Sequence, residues 1–543
     1  MARKKQKRVA VLDLETDPFK YGRVPVPFAS GYFDGEHYQH FWGADCVADL
    51  VEYIQDETDL IIYAHNGGKF DFYYFLPYLD KDLFIINGRI AKATMFDGAI
   101  ELRDSWLILP LPLSTHGKLD IDYNKMEAEV RGQHKPEILR YLQKDCRSLW
   151  DWVTKFRNDF GGGLTLAGAA FKQLKKTGYE VQNSYDDYDS LFRQFYFGGR
   201  VQCFQTGSFY GRHEYVDINS AYSFAMMHQH PKGTDYVEML KLPNDDKPGC
   251  YFADIEAVSK GALPFKHENK LYFPDDDTPR RYFVTGWEVR AGLETDTLKI
   301  IKVHRVYRPL FTSDFSEYVN RFFKLKSDAD KAGDQTLRTF AKLFLNACYG
   351  KFGQDGRGFE KFTLCDYGEW PEGEDWTLYA QAETGQTIFS RPDPVDRFYN
   401  VATAASVTGF VRAYLWRAIQ DSDAPLYCDT DSIICKSYEG NRGDKLGQWD
   451  LEAVAFEVHI AQRKMYGMRT YKPEWPFTST KVASKGVRLN FDQIKEGVEN
   501  GRNINTERDA PAFSLKYGPR FFARKTNFEN IAKNSLTVPA EAG

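Results

Sequence analysis

The stretch Leu426-Tyr427-Cys428-Asp429-Thr430-Asp431-Ser432-Ile433-Ile434-Cys435 sets two short apolar runs around an acidic tip. Strand-forming flanks with Asp-Thr-Asp between them predict a β-hairpin. In that hairpin Asp429 and Asp431, two residues apart, point the same way and converge. Two carboxylates held together on a rigid apolar support repel each other and lose solvation, and a hard divalent cation such as Mg²⁺ relieves both costs. A solvated turn is the plainer alternative, because Asp is a common turn former. The choice between them rests on what else the chain supplies.

With 543 residues the chain exceeds what one hydrophobic core holds, so several domains are expected. Aromatic residues reach 15%, enough to fill large cores and leave rings for stacking. The net charge of -5 provides no overall field for a polyanion, so a nucleic-acid site has to be a local basic lining. The run Arg3-Lys4-Lys5-Gln6-Lys7-Arg8 reads as a solvated tail. No Cys-x-x-Cys pair and no G-x-x-x-x-G-K-[ST] loop occur, which argues against a zinc ribbon, a disulfide framework and an ATP-driven motor. Neither a signal-peptide core nor a membrane-length apolar run is present, so a cytoplasmic protein without a membrane partner is expected.

A second set of acids lies near the N-terminus. Val9-Ala10-Val11-Leu12-Asp13-Leu14-Glu15-Thr16 is a buried-strand pattern with acids at i and i+2, which a strand projects on one face; an edge strand with a solvated face is the alternative. Ile61-Ile62-Tyr63-Ala64-His65-Asn66 is another apolar strand, running through Gly67-Gly68-Lys69-Phe70 into Asp71. Arg140-Tyr141-Leu142-Gln143-Lys144-Asp145 reads as helical, with Tyr141 and Asp145 one turn apart. Asp13, Glu15, Asp71 and Asp145 supply the four carboxylates that a two-metal phosphodiester hydrolase needs.

Between the two acidic sets, Tyr196-Phe197-Gly198-Gly199 reads as a tight turn or as a place where another backbone comes close. Tyr215-Val216-Asp217-Ile218-Asn219-Ser220-Ala221-Tyr222 ends an apolar strand in an acid, which alone could be a helix cap. Thr336 to Tyr349 is a periodic helix closed by Gly350 and followed by Lys351-Phe352. Arg338, Lys342, Asn346 and Tyr349 share one of its faces while Phe340, Leu343, Phe344 and Ala347 serve the packed side. An ordinary amphipathic helix also has a polar face, but two cations, an amide and a phenol, with Lys324 and Lys326 upstream, suit a triphosphate beneath a base. Residues 354–398 read as a loop-rich insertion, and Gln462-Arg463-Lys464-Met465-Tyr466 as strand-like, with a cation and an aromatic two apart. Beyond residue 500 the chain has a basic, aromatic tail.

In this order the motifs resemble those of protein-primed family B DNA polymerases, the type found in small phages and linear plasmids. Asp-x-Glu, Asn-Gly-Gly-Lys-Phe-Asp and Tyr-x-x-x-Asp are similar to the three exonuclease motifs of the DEDD class, with Asp104-Ser105-Trp106-Leu107 and Lys118-Leu119-Asp120 similar to segments of the protein-primed branch. The resemblance implies metal binding at Asp13, Glu15, Asp71 and Asp145, water orientation by Tyr141, support from Lys118, and contacts of Tyr63, His65, Asn66, Phe70 and Ser105 with a single-stranded 3′ end. In the polymerase half it implies metal binding at Asp217, Asp431 and the Ile218 main chain, with Asp429 assisting. Tyr222 would exclude a 2′-hydroxyl, and Lys342, Tyr349, Asn346, Arg338 and Lys326 would hold the nucleotide. Tyr196, Gly198, Gly199, Ser220, Gly350, Phe352, Lys464 and Tyr466 would contact DNA.

The fold implied is multidomain α+β, a ribonuclease-H-like exonuclease domain joined to a right-hand polymerase. The expected division is 1–157 exonuclease, 158–229 first part of the palm, 230–315 first insertion, 316–353 fingers, 354–398 second insertion, 399–498 second part of the palm, and 499–543 thumb. The function expected is template-directed DNA synthesis with 3′-5′ proofreading, in protein-primed, strand-displacing replication of a linear viral or plasmid genome. Two Mg²⁺ ions per site, replaceable by Mn²⁺, would serve as cofactors; DNA, deoxynucleoside triphosphates and a terminal protein would be the partners of a monomer. The rivals are a 3′-5′ exonuclease whose C-terminal half only grips DNA, and a non-catalytic replication scaffold. The cationic face around Lys342 argues against the first, and the retention of all seven acids against the second.

Overall fold

The structure is a computed structural model. It describes residues 7–526 except 20–22, 114–119, 182, 245–249, 396–397, 473–474, 502–503, 508–511, 517 and 521–522. Lys118 lies outside the described residues, as does most of the expected thumb.

The N-terminal unit is a sheet covered on both faces. Its strands are β1 (Arg8–Thr16), β2 (Pro27–Phe33), β3 (Tyr38–Trp42), β4 (Leu60–Ala64), β5 (Asp82–Ile86), β6 (Arg89–Met95) and β7 (Ile100–Asp104). β1 runs parallel to β4 and antiparallel to β2, so it is interior and the edge-strand alternative falls away. Ala10, Leu12 and Leu14 pack with Ile62 and Ala64 on the side of α1 (Cys46–Ile54) and α2 (Asp71–Tyr74). Val11, Ile61 and Tyr63 pack with Tyr141, Leu142, Cys146 and Leu149 of α3 (Lys135–Phe160). Strand alternation therefore sends Asp13 and Glu15, in step with Val11, to the α3 side.

The chain continues through α4 (Leu166–Lys175) and α5 (Asp186–Arg193) into β8 (Val201–Cys203), β9 (Gly207–Ile218) and α6 (Ala221–Met226). A four-stranded antiparallel unit follows, β10 (His230–Met239), β11 (Phe252–Ser259), β14 (Arg280–Thr285) and β15 (Leu298–Ser313), with the hairpin β12 (Phe265–His267) and β13 (Lys270–Tyr272) and the helix α7 (Gly286–Glu294). α8 (Ser316–Lys331) and α9 (Gln335–Ala347) form an antiparallel pair. The expected helix thus stops at Ala347, and Tyr349–Gly353 continues as a 3₁₀ turn.

Residues 354–398 differ from the loop-rich expectation. They form β16 (Glu360–Asp366), β17 (Thr377–Gln381) and β18 (Gln386–Pro392), and β16 pairs with β5 through Phe362–Leu83 and Thr363–Asp82. The N-terminal sheet thereby gains three strands and reaches ten. Acids and glycines crowd the turns between these strands, which hid the short buried runs Phe362–Leu364 and Thr387–Ser390.

The polymerase half continues with α10 (Val401–Gln420), β19 (Ser422–Asp423), β20 (Tyr427–Asp429), β21 (Ser432–Cys435), β22 (Ser437–Tyr438), β23 (Trp449–Gln462), β24 (Met465–Lys472), β25 (Trp475–Ser484) and α11 (Phe491–Asn500), followed by two short strand pairs. Its sheet has the order β25-β24-β23-β9-β21-β20-β8, so β9, carrying Asp217, sits in the middle with β21 on one side and β23 on the other. The 462–466 stretch is not one strand. Gln462 pairs with Met465 across a turn, and Lys464 takes the left-handed conformation there, φ 58°.

Candidate active sites

The acidic tip folds as a hairpin in which Asp429 pairs with Ser432, leaving Thr430 and Asp431 as the turn. Thr430 has φ 62°, its N–H donates to the Arg200 carbonyl at 2.6 Å, and the Ile218 N–H donates to the Asp431 carbonyl at 2.8 Å. The last of these bonds ties the turn to the end of β9, where Ser432 lies opposite Asp217. Because Asp431 is a turn residue, the simple alternation that makes it equivalent to Asp429 does not hold. Asp429 is taken up by Lys464, whose Nζ lies 2.8 and 2.9 Å from its two oxygens. Asp431 instead raises the proton affinity of Asp217. Burial, then Asp431, then Glu452 push the Asp217 carboxyl up to about 7, and burial, then Asp429, push Asp431 up to about 6.

Gly199 makes this arrangement possible. A Cβ there would stand 2.7 Å from both Thr430 Oγ1 and Cγ2, so only glycine lets the 196–199 loop rest on the hairpin tip. Next to the acids, the rings of Tyr222 and Tyr349 stack face to face, 4.1 Å between centroids and 7° between planes. Lys342 and Asn346 are exposed on α9. Arg338 reaches back to Asp330 at 2.8 Å, and Lys326 loses proton affinity through burial first and then through Arg338 and Lys342. Three cations thus converge between α8 and α9, an arrangement suited to an anion.

The N-terminal acids converge on α3. Asp71 begins α2 and Asp145 lies on α3; both are buried with Glu15 and Tyr141. Burial raises Asp71 above the ordinary carboxyl range, its own main-chain N–H opposes the rise, and Asp104 adds to it. The buried Cys146 thiol marks the centre: after desolvation, the charges that push it up are Asp13, Asp145, Glu15 and Asp71. Close approach of α3 depends on Gly31, which pairs with Asp13, since a Cβ on Gly31 would meet Leu142 Cγ at 2.9 Å and Cys146 Sγ at 3.0 Å.

A family model for DNA polymerase type B, organellar and viral, matches residues 118–369. The DNA-directed DNA polymerase of Enterobacteria phage PRD1 is 37% identical over 560 residues, spanning 96% of this chain and 98% of that one. The chain belongs to the protein-primed family B DNA polymerases. A DNA polymerase of Kluyveromyces lactis is 21% identical over 83% of this polymerase, which spans 56% of that protein. The structure of phi29 DNA polymerase with primer-template DNA superposes with a TM-score of 0.74 at 16% identity, covering 96% of this polymerase and all of that chain, and the phi29 ternary complex with incoming nucleotide gives 0.73. The fold is accordingly the multidomain α+β fold of family B polymerases, with a ribonuclease-H-like unit ahead of a right-hand polymerase.

Not every residue of the polymerase expected at a surface lies on one. Tyr63 is 1% exposed, a core ring whose hydroxyl accepts from Arg103 and Arg157, so it offers no face to a strand. Ser105 is fully buried; its hydroxyl donates to the Ala64 carbonyl and lies 3.0 Å from His65 Nδ1, which orients that ring. Phe352 is a core residue packed on Phe171, Tyr179 and Phe315, and Tyr466 is buried against Tyr427. His65, Asn66, Phe70, Tyr196, Ser220 and Lys464 keep partial exposure, and Gly198 and Gly350 are exposed.

Sequence reading missed Glu452. It occupies a bulge where β23 shifts register against β9 between Leu451 and Ala453, and it adds charge to both Asp217 and Asp431. Bulges re-aim side chains beside active sites. Trp449-Asp450-Leu451-Glu452 reads as an ordinary half-solvated strand, so the sequence carries no signal for it.

Proposed function

We propose that this polymerase extends primers at the Asp217–Asp431 centre and removes 3′ ends hydrolytically at the Asp13, Glu15, Asp71 and Asp145 cluster. The supporting observation is that the two acid sets stand on two different sheets, and that burial raises the proton affinity of Asp217 and Asp431 in one set and of Asp71 in the other. A desolvated pair of carboxylates with only oxygen donors fits a hard divalent cation, Mg²⁺ with Mn²⁺ as substitute. Among the described residues no three carboxylate, imidazole or thiol groups are gathered closely enough to ligate one ion as they stand. Two carboxylates with the Ile218 main chain and substrate oxygens would complete the set at the polymerase centre. Ions bound there would activate the primer hydroxyl and neutralise the transferred phosphates.

The chain's own residues do the rest. Lys464 keeps Asp429 paired and so leaves Asp431 as the acid facing Asp217. Lys326, Arg338 and Lys342 attract the triphosphate, and the Tyr222–Tyr349 stack forms a flat wall for the nascent base pair and sugar. At the N-terminal cluster Tyr141, one turn from Asp145, would orient the attacking water.

The reading extends to a terminal protein as primer, as the resemblance implies, with strand displacement aided by the β16–β18 extension and replication in a host cytoplasm. The strands 230–313 would be the first insertion, α8–α9 the fingers, and the sheet centred on β9 the palm. The test is a pair of variants on primed and single-stranded DNA. Asp431→Asn should abolish incorporation and leave 3′-5′ degradation; the double change Asp13→Ala with Glu15→Ala should do the reverse. Synthesis by the first variant, or degradation by the second, would reject the assignment.

A further inference from the structure

Two guanidinium groups are buried deep in the polymerase half, and neither touches an acid of the Asp217–Asp431 centre. Arg412 of α10 is 2% exposed and Arg200, just after Gly199, is 1% exposed. Arg412 Nε donates to Glu288 Oε1 at 2.7 Å, and its Nη1 donates to the carbonyls of Phe197 and Gly198 at 2.7 and 2.8 Å. Glu288 belongs to α7 of the four-stranded unit, and its other oxygen accepts from the Thr285 N–H and hydroxyl at 2.9 and 2.8 Å. Arg200 reaches the same unit separately. Its Nη1 donates to the Gly261 carbonyl at 2.8 Å, and its guanidinium lies between the rings of Phe273 and Trp416, at 4.2 and 4.4 Å. The main chain of Arg200 then accepts the Thr430 N–H at 2.6 Å, while Gly199 rests on the Thr430 side chain.

We propose that Arg200 and Arg412 are positioning residues for nucleotidyl transfer, through which the four-stranded unit sets the Asp429–Asp431 turn. A buried ion pair adds little stability beyond what apolar packing would give, and its best-attested use is to fix one registry. Here both guanidinium groups fix the same loop, Phe197 to Arg200, from two separate points of one unit. That loop is the support on which the turn between Asp429 and Ser432 sits. A shift of the four-stranded unit therefore cannot stay local, because Glu288, Gly261 and Phe273 move with it and the loop is bonded to all three through the two arginines. Small displacements matter at such a centre: about 1 Å of misplacement can cost on the order of 10²-fold in rate.

The inference rests on the assignment of Asp431 to the polymerase centre, so the Asp431→Asn variant is measured alongside. Arg412→Met, Arg200→Met and the milder Glu288→Gln and Phe273→Leu are assayed for single-nucleotide incorporation on primed DNA, with thermal unfolding of each. The expected result for variants that remain folded is a fall in kcat of roughly 10- to 100-fold, little change in KM for the nucleotide, and a higher Mg²⁺ concentration at half-maximal rate. Arg412→Lys, which keeps the charge, should recover part of the loss. Wild-type kcat and Mg²⁺ midpoint in folded Glu288→Gln and Phe273→Leu would overturn the proposal, as would losses that follow only the unfolded fraction with the Mg²⁺ midpoint unmoved. An active Asp431→Asn would instead overturn the site assignment itself, so the two failures are told apart.

Discussion

Lys464 Nζ lies 2.8 Å from Asp429 Oδ1 and 2.9 Å from Oδ2, so one lysine holds both oxygens of the first acid of the hairpin tip. The two acids of Asp-Thr-Asp are thereby made unequal. Lys464 also lowers the proton affinity of Asp431, which burial and Asp429 raise. In Lys464→Met that opposing charge is gone and Asp431 binds its proton more tightly. The acidic limb of the pH–rate profile for incorporation, measured at fixed Mg²⁺, should move to higher pH. Asp429→Asn should remove the repulsion and move the limb the other way while retaining synthesis. A profile unchanged in both variants would separate Asp429 and Lys464 from the chemistry.

The raised carboxyls also make a stability prediction with a definite sign. Asp217 stands at about 7 and Asp431 at about 6 in the fold, against 3.8 as the ordinary value. A group whose folded value is raised contributes stability that is present below its unfolded value and lost as pH rises through the folded one. In EDTA the unfolding temperature should therefore fall between about pH 4 and 7. Asp217→Asn should flatten that fall, and added Mg²⁺ should restore more stability at pH 8 than at pH 5. Differential scanning calorimetry across this range measures all three.

Gly31 governs how closely α3 approaches β1, and hence how closely Asp145 approaches Asp13. Gly31→Val forces Leu142 and Cys146 outward, at a cost of about 1–3 kcal/mol for overpacking. Degradation of a single-stranded 3′ end should drop sharply, while extension of a paired primer stays near the wild-type rate. Equal loss of both activities in a folded variant would show that the two sites are not independent.

The Tyr222–Tyr349 stack should act through nucleotide binding. An aromatic pair contributes about 0.5–1.5 kcal/mol beyond the area it buries. Tyr349→Ala should therefore raise KM for the incoming nucleotide by about 2- to 10-fold, with Tyr349→Phe close to wild type. Steady-state incorporation opposite a single template base reads the difference.

Motif order, strand parity and helix phase were legible in the chain. The acids of β1, the hairpin at 426–435 and the cationic face of α9 all follow from local rules, because each depends on residues a few positions apart. Four features did not follow. The β16–β18 extension of the N-terminal sheet depends on pairing between Phe362 and Leu83, far apart in sequence. The burial of Tyr63, Ser105, Phe352 and Tyr466 depends on which face the neighbouring layers cover. The approach of α3 depends on the absent side chain of Gly31, and the placement of Glu452 on the bulge of β23 between Leu451 and Ala453.

By itself, then, the sequence determined which chemical groups this polymerase owns and the order in which the chain presents them. Periodicity and spacing act over one or two turns, and at that range they are decisive. Tertiary structure alone decided how those groups are charged and which of them work together. Asp429 and Asp431 are near neighbours in the chain, yet one is paired with Lys464 while the other is pushed up by burial and by Asp429 and itself pushes up Asp217. Burial and Coulomb coupling act through space, and no local pattern encodes the distance between β9, the hairpin turn and Lys464.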